Sequence, residues 1–482
     1  MKICLAASEV APFAKTGGLA DVVAALSRDL SRRGHDVRTF LPFYSRIDLG
    51  EAPLHAVEFL QRIPLDIGRQ RYHFSVATTP LPDSSLWVYL IDCPALFHRS
   101  SLYGNDPDEH HRFILFSRAV LESCQRMGWA PEVVHANDWH TGLLPLYLRS
   151  LYGWDRLFAD TKTLLTIHNI AYQGIFPGSI LPDLGLGDHA RLLHQEDLAA
   201  DQIGFLKTGI LYADGLSTVS RTHAREIQTE RYGFGLDRLL RARSDRLVGI
   251  VNGVDYGDWD PAGDPHLPHP YGADDLDPKE SNKQHLLEQL AMPYRQGLPL
   301  LGVVSRLTHQ KGFDLTFEAL PECLAAGRAQ LIALGTGERS VERFFQGLQQ
   351  RFPGQVCFIR AYSNELAHLI EAAADIFLMP SRYEPCGLNQ MYSLKYGTPP
   401  IVRRTGGLAD TVEPWDGSRR EGTGFVFEHA DVQGFRWALN QALEAYGDRA
   451  GWRRLQQNGM AQDFSWQRQG ALYEELYRRL AS

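Results

Sequence analysis

The amino-acid sequence predicts an α/β protein built in two halves, each a parallel sheet covered by helices. Three observations predict it. Short apolar runs repeatedly end in polar or glycine-containing turns and open into stretches of 3.6-residue apolar periodicity. A segment rich in Pro, Asp and Gly interrupts this rhythm near mid-chain, after which it restarts. The length, 482 residues, also exceeds what one hydrophobic core holds, since cores stop growing near about 250–300 residues.

The elements follow in order. Residues 2–6 are an apolar strand, and residues 9–18 are a loop carrying Pro12, Gly17 and Gly18. Leu19, Val22, Val23, Leu26 and Leu30 then share one helical face, Gly34 closes the helix, and residues 37–41 form the next strand. Such a βαβ unit implies a parallel pair. The opening resembles a short secretory leader, but Glu9 interrupts it and residues 2–6 are too few for an apolar leader core, so a buried first strand is the reading. Residues 133–136 run into Asp138, Trp139 and His140; 163–167 into His168 and Asn169; 247–251 into Asn252 and Gly253. Residues 255–278, with Pro261, Pro265, Pro268, Pro270 and Pro278, read as an irregular connection, either a domain linker or a surface loop. Strands follow at 300–305, 330–334, 355–359 and 376–380, and residues 313–326 are helical. Residues 466–480 form an amphipathic helix with Leu472, Leu476 and Leu480 on one face. Each half has the size of a Rossmann-like domain. The sequence TGGLAD occurs twice, at 16–21 and 405–410; it reflects either shared turn chemistry or two loops facing across a cleft.

Composition narrows the partners. Against 49 Lys and Arg stand 57 Asp and Glu, a net charge of −8, which disfavours nucleic acid without excluding one small anion held by local cations. No run of about 18 apolar residues occurs, so no membrane span is expected. The 6 cysteines are scattered and form no C-x-x-C pair, which argues against a disulfide framework and for a cytoplasmic location. His110–His111 and His135/His140 lack a second cluster at ligand spacing, so no metal site is expected.

Ligands of open parallel sheets bind beyond the carboxyl ends of strands. Lys15, Asp138, His168 and Asn252 lie there in the first half; Arg306, the turn Gly335-Thr336-Gly337, Tyr362 and Glu384 lie there in the second. Together they predict a ligand cleft. Lys15, Gly17 and Gly18 precede a helix and suit an anion; the pattern is not that of a nucleotide-hydrolysing P-loop. Arg306 and Lys311 lie five residues apart across a turn and suit a diphosphate. The Gly335 turn has Ser340 at its third glycine position and no acid at 346–362, which disfavours a nicotinamide site and leaves a nucleotide-contacting turn open. Glu384 is placed to hold a sugar hydroxyl, and the amides of Cys386, Gly387 and Leu388 phosphate or sugar oxygens. Asp138 beside Trp139 is a second candidate for a sugar ring, although Trp139 equally suits a core position.

The segments KTGGLADVV, HANDWHTGLLP, TIHNIAYQGIFP, VNGVD, SRLTHQKGFDL, SRYEPCGLNQMYSLKYGTPPIVRRTGGLADTV and DFSWQ resemble bacterial glycogen synthase and plant starch synthase, in that family's order and over nearly the whole chain. The resemblance implies a GT-B fold: an N-terminal domain at 1–248, a nucleotide-sugar domain at 249–463, and a closing helix at 464–482 returning to the first domain. It implies transfer of glucose from ADP-glucose to the non-reducing end of an α-1,4-glucan (glycogen or a maltooligosaccharide), with retention, release of ADP, and no bound metal or cofactor. By the same resemblance Lys15, Gly17 and Gly18 contact the donor, Asp138, His168 and Asn252 lie near glucose and acceptor, and Arg306 and Lys311 neutralise the diphosphate. Tyr362 packs near the adenine, Glu384 binds glucose hydroxyls, and the backbone of Cys386, Gly387 and Leu388 supports sugar and phosphate. Asn389 replaces a Thr common in the bacterial members, and Tyr392 stands where the wider class often has a second Glu. UDP-glucose as donor, a pyridoxal-dependent glucan phosphorylase and a non-catalytic glucan-binding scaffold are the alternatives.

Overall fold

In a computed structural model describing residues 1–482, the apolar runs form two large separate sheets, beside a two-stranded antiparallel one of Ile175–Pro177 and Gln202–Gly204. The first has ten strands. Seven lie parallel in the order Leu247–Gly249, Gly215–Thr218, Lys162–Ile167, Val133–Asn137, Lys2–Ala6, Asp36–Pro42 and Trp87–Asp92. Gln70–Pro80 extends this edge antiparallel and carries His55–Ala56 and Ile63–Ile67. The second sheet has six strands, all parallel: Val356–Ile359, Gln330–Leu334, Leu300–Val304, Ile376–Met379, Pro400–Arg403 and Phe425–Phe427. Most of these strands are buried along their length, as parallel strands under helices must be.

Each large sheet organises one unit. The first comprises Met1–Val219, Ala224–Gly253 and Trp466–Ser482; the second comprises Ser220–His223 and Val254–Ser465. Apart from Ser220–His223, the chain stays in the first unit up to Gly253, five residues after the boundary expected at 248, because Ile250 belongs to the first unit's core with Ile3, Leu5 and Val133. Residues 255–278 are more than a linker. Leu267, Tyr271 and Leu276 are buried with Leu286, Leu287 and Ile370 in a core of their own, and Asp264 accepts hydrogen bonds from His368 Nδ1 (2.8 Å) and the Tyr396 hydroxyl (2.5 Å). Irregular backbone hid this apolar content from any periodicity.

The closing helix, Trp466–Ala481, packs within the first unit. Its buried face is centred on Trp466, Tyr473, Leu476 and Tyr477, with Leu472 and Leu480 only partly covered, so of the leucine stripe Leu476 alone lies at its centre. Large aromatic rings remove more apolar area from water than the flanking leucines do. The Tyr477 hydroxyl meets His135 Nδ1 at 2.8 Å, and Arg33 and His35 reach Glu474 at 3.3 and 3.2 Å. His135 is thus a structural residue, and burial holds its pKa down to about 3. No helix is long and apolar enough to cross a membrane, and all six cysteines are free thiols.

Trp466 covers Gly253, the last residue of the first unit before Val254. Trp466→Ala is expected to cost about 3–5 kcal/mol of unfolding free energy in urea titrations, as for other buried aromatics. A loss below about 1 kcal/mol would show that this helix does not anchor the first unit.

Candidate functional site

Each unit carries a constellation where its strand order reverses. In the first sheet that point lies between Lys2–Ala6 and Val133–Asn137, paired with Ala6 opposite Ala136. Glu9 follows one strand and Asp138 the other. The Glu9 carboxylate is 4% exposed and holds the next loop together: Oε1 accepts the Thr16 hydroxyl (2.7 Å) and the Tyr103 hydroxyl (2.7 Å), and Oε2 accepts the amides of Thr16 and of Gly17 (3.3 Å). Sequence reasoning took Glu9 only as the interruption of an apolar run. A carboxylate just past a buried strand, ahead of a glycine loop, was the signal that could have found it. Lys15, on this loop, is partly exposed and pairs with Asp21 at 2.8 Å.

Asp138 has φ 57 and ψ −174, a region almost reserved for glycine that costs of order 1–3 kcal/mol. Its surroundings enforce it. The Asp138 amide donates to Thr166 O (2.9 Å), and Oδ1 accepts the amides of His168 (2.7 Å) and Asn169 (3.4 Å). Burial pushes the Asp138 carboxyl up to about 7; these two amides pull it back, and the nearby Glu9 charge adds to the rise. Burial lowers His168 to about 3, so the ring is neutral at neutral pH. Asn137 donates its amide to Ala6 O (3.1 Å), so its Oδ1, 2.9 Å from His168 Nε2, accepts the proton there and leaves Nδ1 bare. The Asn252 side chain is buried, with its Oδ1 lacking any partner in the protein. Trp139 is core: it packs on Phe113, Phe176 and Phe205 and stacks on His140.

In the second sheet the order reverses at Leu300–Val304, which lies between Gln330–Leu334 and Ile376–Met379. Arg306 follows Leu300–Val304 and is exposed, with no ion-pair partner. Lys311 lies on a short turn and donates to Glu384 Oε2 at 2.6 Å, where the Ser381 hydroxyl also donates at 3.0 Å. Arg306 and Lys311 are therefore unequal: one cation is open, the other is already matched by a buried carboxylate. The loop bearing Glu384 is tied down around it. Arg403 donates to Ser381 O (3.2 Å) and Arg382 O, and the Arg382 side chain pairs with Asp314. Gly406 and Gly407 complete the seat. A Cβ at Gly406 would lie 1.9 Å from Glu384 O, and one at Gly407 2.0 Å from Cys386 O, while the Gly407 amide donates to Glu384 O at 3.0 Å.

The remaining candidates sort clearly. Gly387 has φ 75, and Gln390 hydrogen-bonds Cys386 O and Gly387 O at 3.1 and 3.0 Å, so the turn through Leu388 is fixed by its own helix; the Cys386 side chain is buried. Tyr362 is 83% exposed. The Gly335 turn packs backbone to backbone on the Arg306 loop: Leu307 N donates to Thr336 O at 2.8 Å, and Cβ atoms at Gly335 and Gly337 would meet Ser305 O and Leu307 O at 2.0 and 2.3 Å. Its glycines are explained by that contact. Asn389 donates to Val304 O at 2.8 Å and fixes the strand end before Arg306, and Tyr392 stacks on Trp259 at 3.8 Å in the second unit's packing.

Residues 2–242 match the family model described as starch synthase catalytic domain, and residues 293–458 that of glycosyl transferases group 1. The chain is 44% identical to glycogen synthase of Koribacter versatilis (strain Ellin345), covering 99% of this chain and 98% of that one. It is 46% identical to glycogen synthase of Anaeromyxobacter sp. (strain Fw109-5) over the full length of both. Among solved structures, the catalytic domain of starch synthase IV from Arabidopsis thaliana, bound to ADP and acarbose, superposes with a TM-score of 0.91 at 35% identity, covering 100% of this chain and 99% of that one. Sucrose-phosphate synthase from Thermosynechococcus elongatus shares the fold, with a TM-score of 0.62 at 19% identity over 99% and 98% of the two chains. Two parallel-sheet units with these strand-end constellations define a GT-B glycosyltransferase, a hexosyltransferase. Within that class the chain belongs to the glycogen synthase and starch synthase family.

The raised pKa of Asp138 makes stability depend on pH. Folding favours its protonated form, so this stabilisation is full below the unfolded value of about 3.9 and is lost as pH rises through about 7. Asp138→Asn removes the term. Its stability relative to the parent should rise between pH 5 and pH 8 by about 3 kcal/mol in urea unfolding; a difference that stays constant across this range would refute the assignment. Gly407→Ala, which drives a methyl into Cys386 O, should leave the circular dichroism unchanged and lower kcat about 100-fold through a shift of Glu384. Unchanged kcat would show that the Glu384 loop tolerates displacement.

Proposed function

We propose that the chain transfers glucose from ADP-glucose to the non-reducing end of an α-1,4-glucan, glycogen or a maltooligosaccharide, with retention and release of ADP in the cytoplasm. The observation that carries this reading is the unmatched Arg306 guanidinium at one strand end, with Lys311 of the same turn held by Glu384, which with Ser381 follows the neighbouring strand. Breaking the bond between glucose and diphosphate builds negative charge on the diphosphate and positive charge on the sugar. Arg306 meets the first directly. Lys311, pre-aimed by Glu384, adds its field without reorganising. Lys15, Gly17 and Gly18 are proposed as donor contacts within the first unit. Glu384 keeps free acceptor capacity for glucose hydroxyls, and the backbone of Cys386, Gly387 and Leu388 lies next to it for sugar or phosphate oxygens.

In the first unit His168 presents a neutral ring whose Nδ1 can accept a sugar hydroxyl, and the open Oδ1 of Asn252 offers another acceptor. Asp138 is proposed as a positioning residue, since its carboxylate spends itself on the amides of His168 and Asn169. Tyr362, exposed and apolar-faced, is the proposed platform for the base. Adenine is preferred because the starch synthase IV structure holds ADP. The chain's own cations supply the charge that the transfer requires, so the reading calls for no resident cofactor or metal at this step.

Arg306→Ala and Lys311→Ala are each expected to lower kcat by about 10²–10³ with glycogen as primer, judged by ADP release from folded protein. Near-parent turnover in either variant would remove that residue from the proposal. Labelled ADP-glucose should outpace UDP-glucose in the same assay, and equal rates would overturn the choice of donor.

A further inference from the structure

Outside both constellations, tertiary folding builds a set of metal-type donors in the first unit that neighbouring residues in sequence do not reveal. His110 and His111 sit in the first turn of the helix Glu109–Arg126, and Asp183 lies far along the chain in the short helix Gly178–Leu184. His110 Nε2 lies 3.0 Å and His111 Nε2 3.1 Å from the same Asp183 Oδ2, and all three donor atoms fall within 4.8 Å of one another. Both imidazoles are about nine-tenths buried, and Asp183 is 24% exposed, which leaves one open side.

The hydrogen-bond chemistry around His111 is the second observation. The Tyr72 hydroxyl donates its single proton to Gln70 Oε1, so toward His111 Nδ1, 2.9 Å away, it can only accept. His111 Nδ1 therefore donates to the Tyr72 oxygen, and Nε2 is the nitrogen turned to the Asp183 carboxylate, 3.1 Å away. A ligating histidine whose other nitrogen donates to a fixed partner is the usual arrangement around protein-bound zinc. For tetrahedral zinc with bonds of about 2.0–2.1 Å, neighbouring donors lie about 3.3 Å apart, close to the two His–Asp separations already present.

We propose that His110 Nε2, His111 Nε2 and the Asp183 carboxylate bind one divalent first-row transition ion, with Zn²⁺ the best match to two imidazoles and one carboxylate. Tyr72 is the outer partner that orients His111, and the ion clamps the helix Glu109–Arg126 to the segment Gly178–Leu184. The fourth position faces the open side and takes water. This site is independent of the glucosyl-transfer proposal.

The test uses the full chain stripped with chelator. Zn²⁺ titration by calorimetry should give one equivalent bound, and Co²⁺ should give the visible absorption of a tetrahedral nitrogen–oxygen site. Asp183→Asn and His111→Gln should weaken binding at least 100-fold, and Tyr72→Phe, which keeps all three ligands, about 10–100-fold. Circular dichroism confirms folding; should His111→Gln unfold, the other two variants carry the test. Failure of the parent to bind one Zn²⁺, or binding that Asp183→Asn and Tyr72→Phe leave unchanged, would overturn the proposal.

Discussion

A parallel strand cannot turn straight back into its neighbour; it must hand the chain to a crossover that returns to the same end of the sheet. That constraint gathers the carboxyl ends of all parallel strands on one edge, and it splits the connections to opposite faces wherever the strand order reverses. Both large sheets reverse once near their middle, at Lys2–Ala6 and at Leu300–Val304. Glu9, Asp138, Arg306 and Glu384 all leave strands beside those two points. These four charged residues therefore lie where backbone topology sends successive connections to opposite faces, with helices and cores packed behind those strand ends.

Three buried carboxylates then do the local organising, each in a different way. Glu9 gathers the amides and hydroxyl of the glycine loop. Asp138 holds the backbone after the next strand while bearing a strained conformation of its own. Glu384 matches a lysine. Burying a carboxylate costs several kcal/mol unless hydrogen bonds or an opposite charge offset it. Glu9 and Glu384 are offset by many partners and by a cation respectively. Asp138 is offset only in part, and its raised pKa records the shortfall. Stability given up at Asp138 fixes the backbone of His168 and Asn169, which is how preorganised sites come to be strained.

The repeated TGGLAD shows how far a motif can be read alone. At 16–21 the loop is drawn in by Glu9, a Cβ at Gly17 would meet nothing within 4 Å, and Asp21 pairs with Lys15. At 405–410 the glycines admit the backbone of Glu384 and Cys386 at distances no side chain tolerates, and Asp410 accepts from the amide and hydroxyl of Thr222 at 2.8 and 2.6 Å. Identical letters serve open space in one case and backbone contact in the other. Turn geometry is local and therefore readable from sequence; what packs against the turn is not.

The sequence by itself determined the α/β alternation, the strand ends and the residue types placed there, because apolar period and glycine turns act over a few neighbouring residues. It also marked Arg306 and Lys311 as cations at one turn. Only the tertiary structure decided that Lys311 is matched by Glu384, that Glu9 governs a loop, that residues 255–278 contribute a core, and that Asp183 joins His110 and His111. Each of these depends on partners brought together by the order in which strands pair. Strand order is set by the burial of whole sheets rather than by any local pattern.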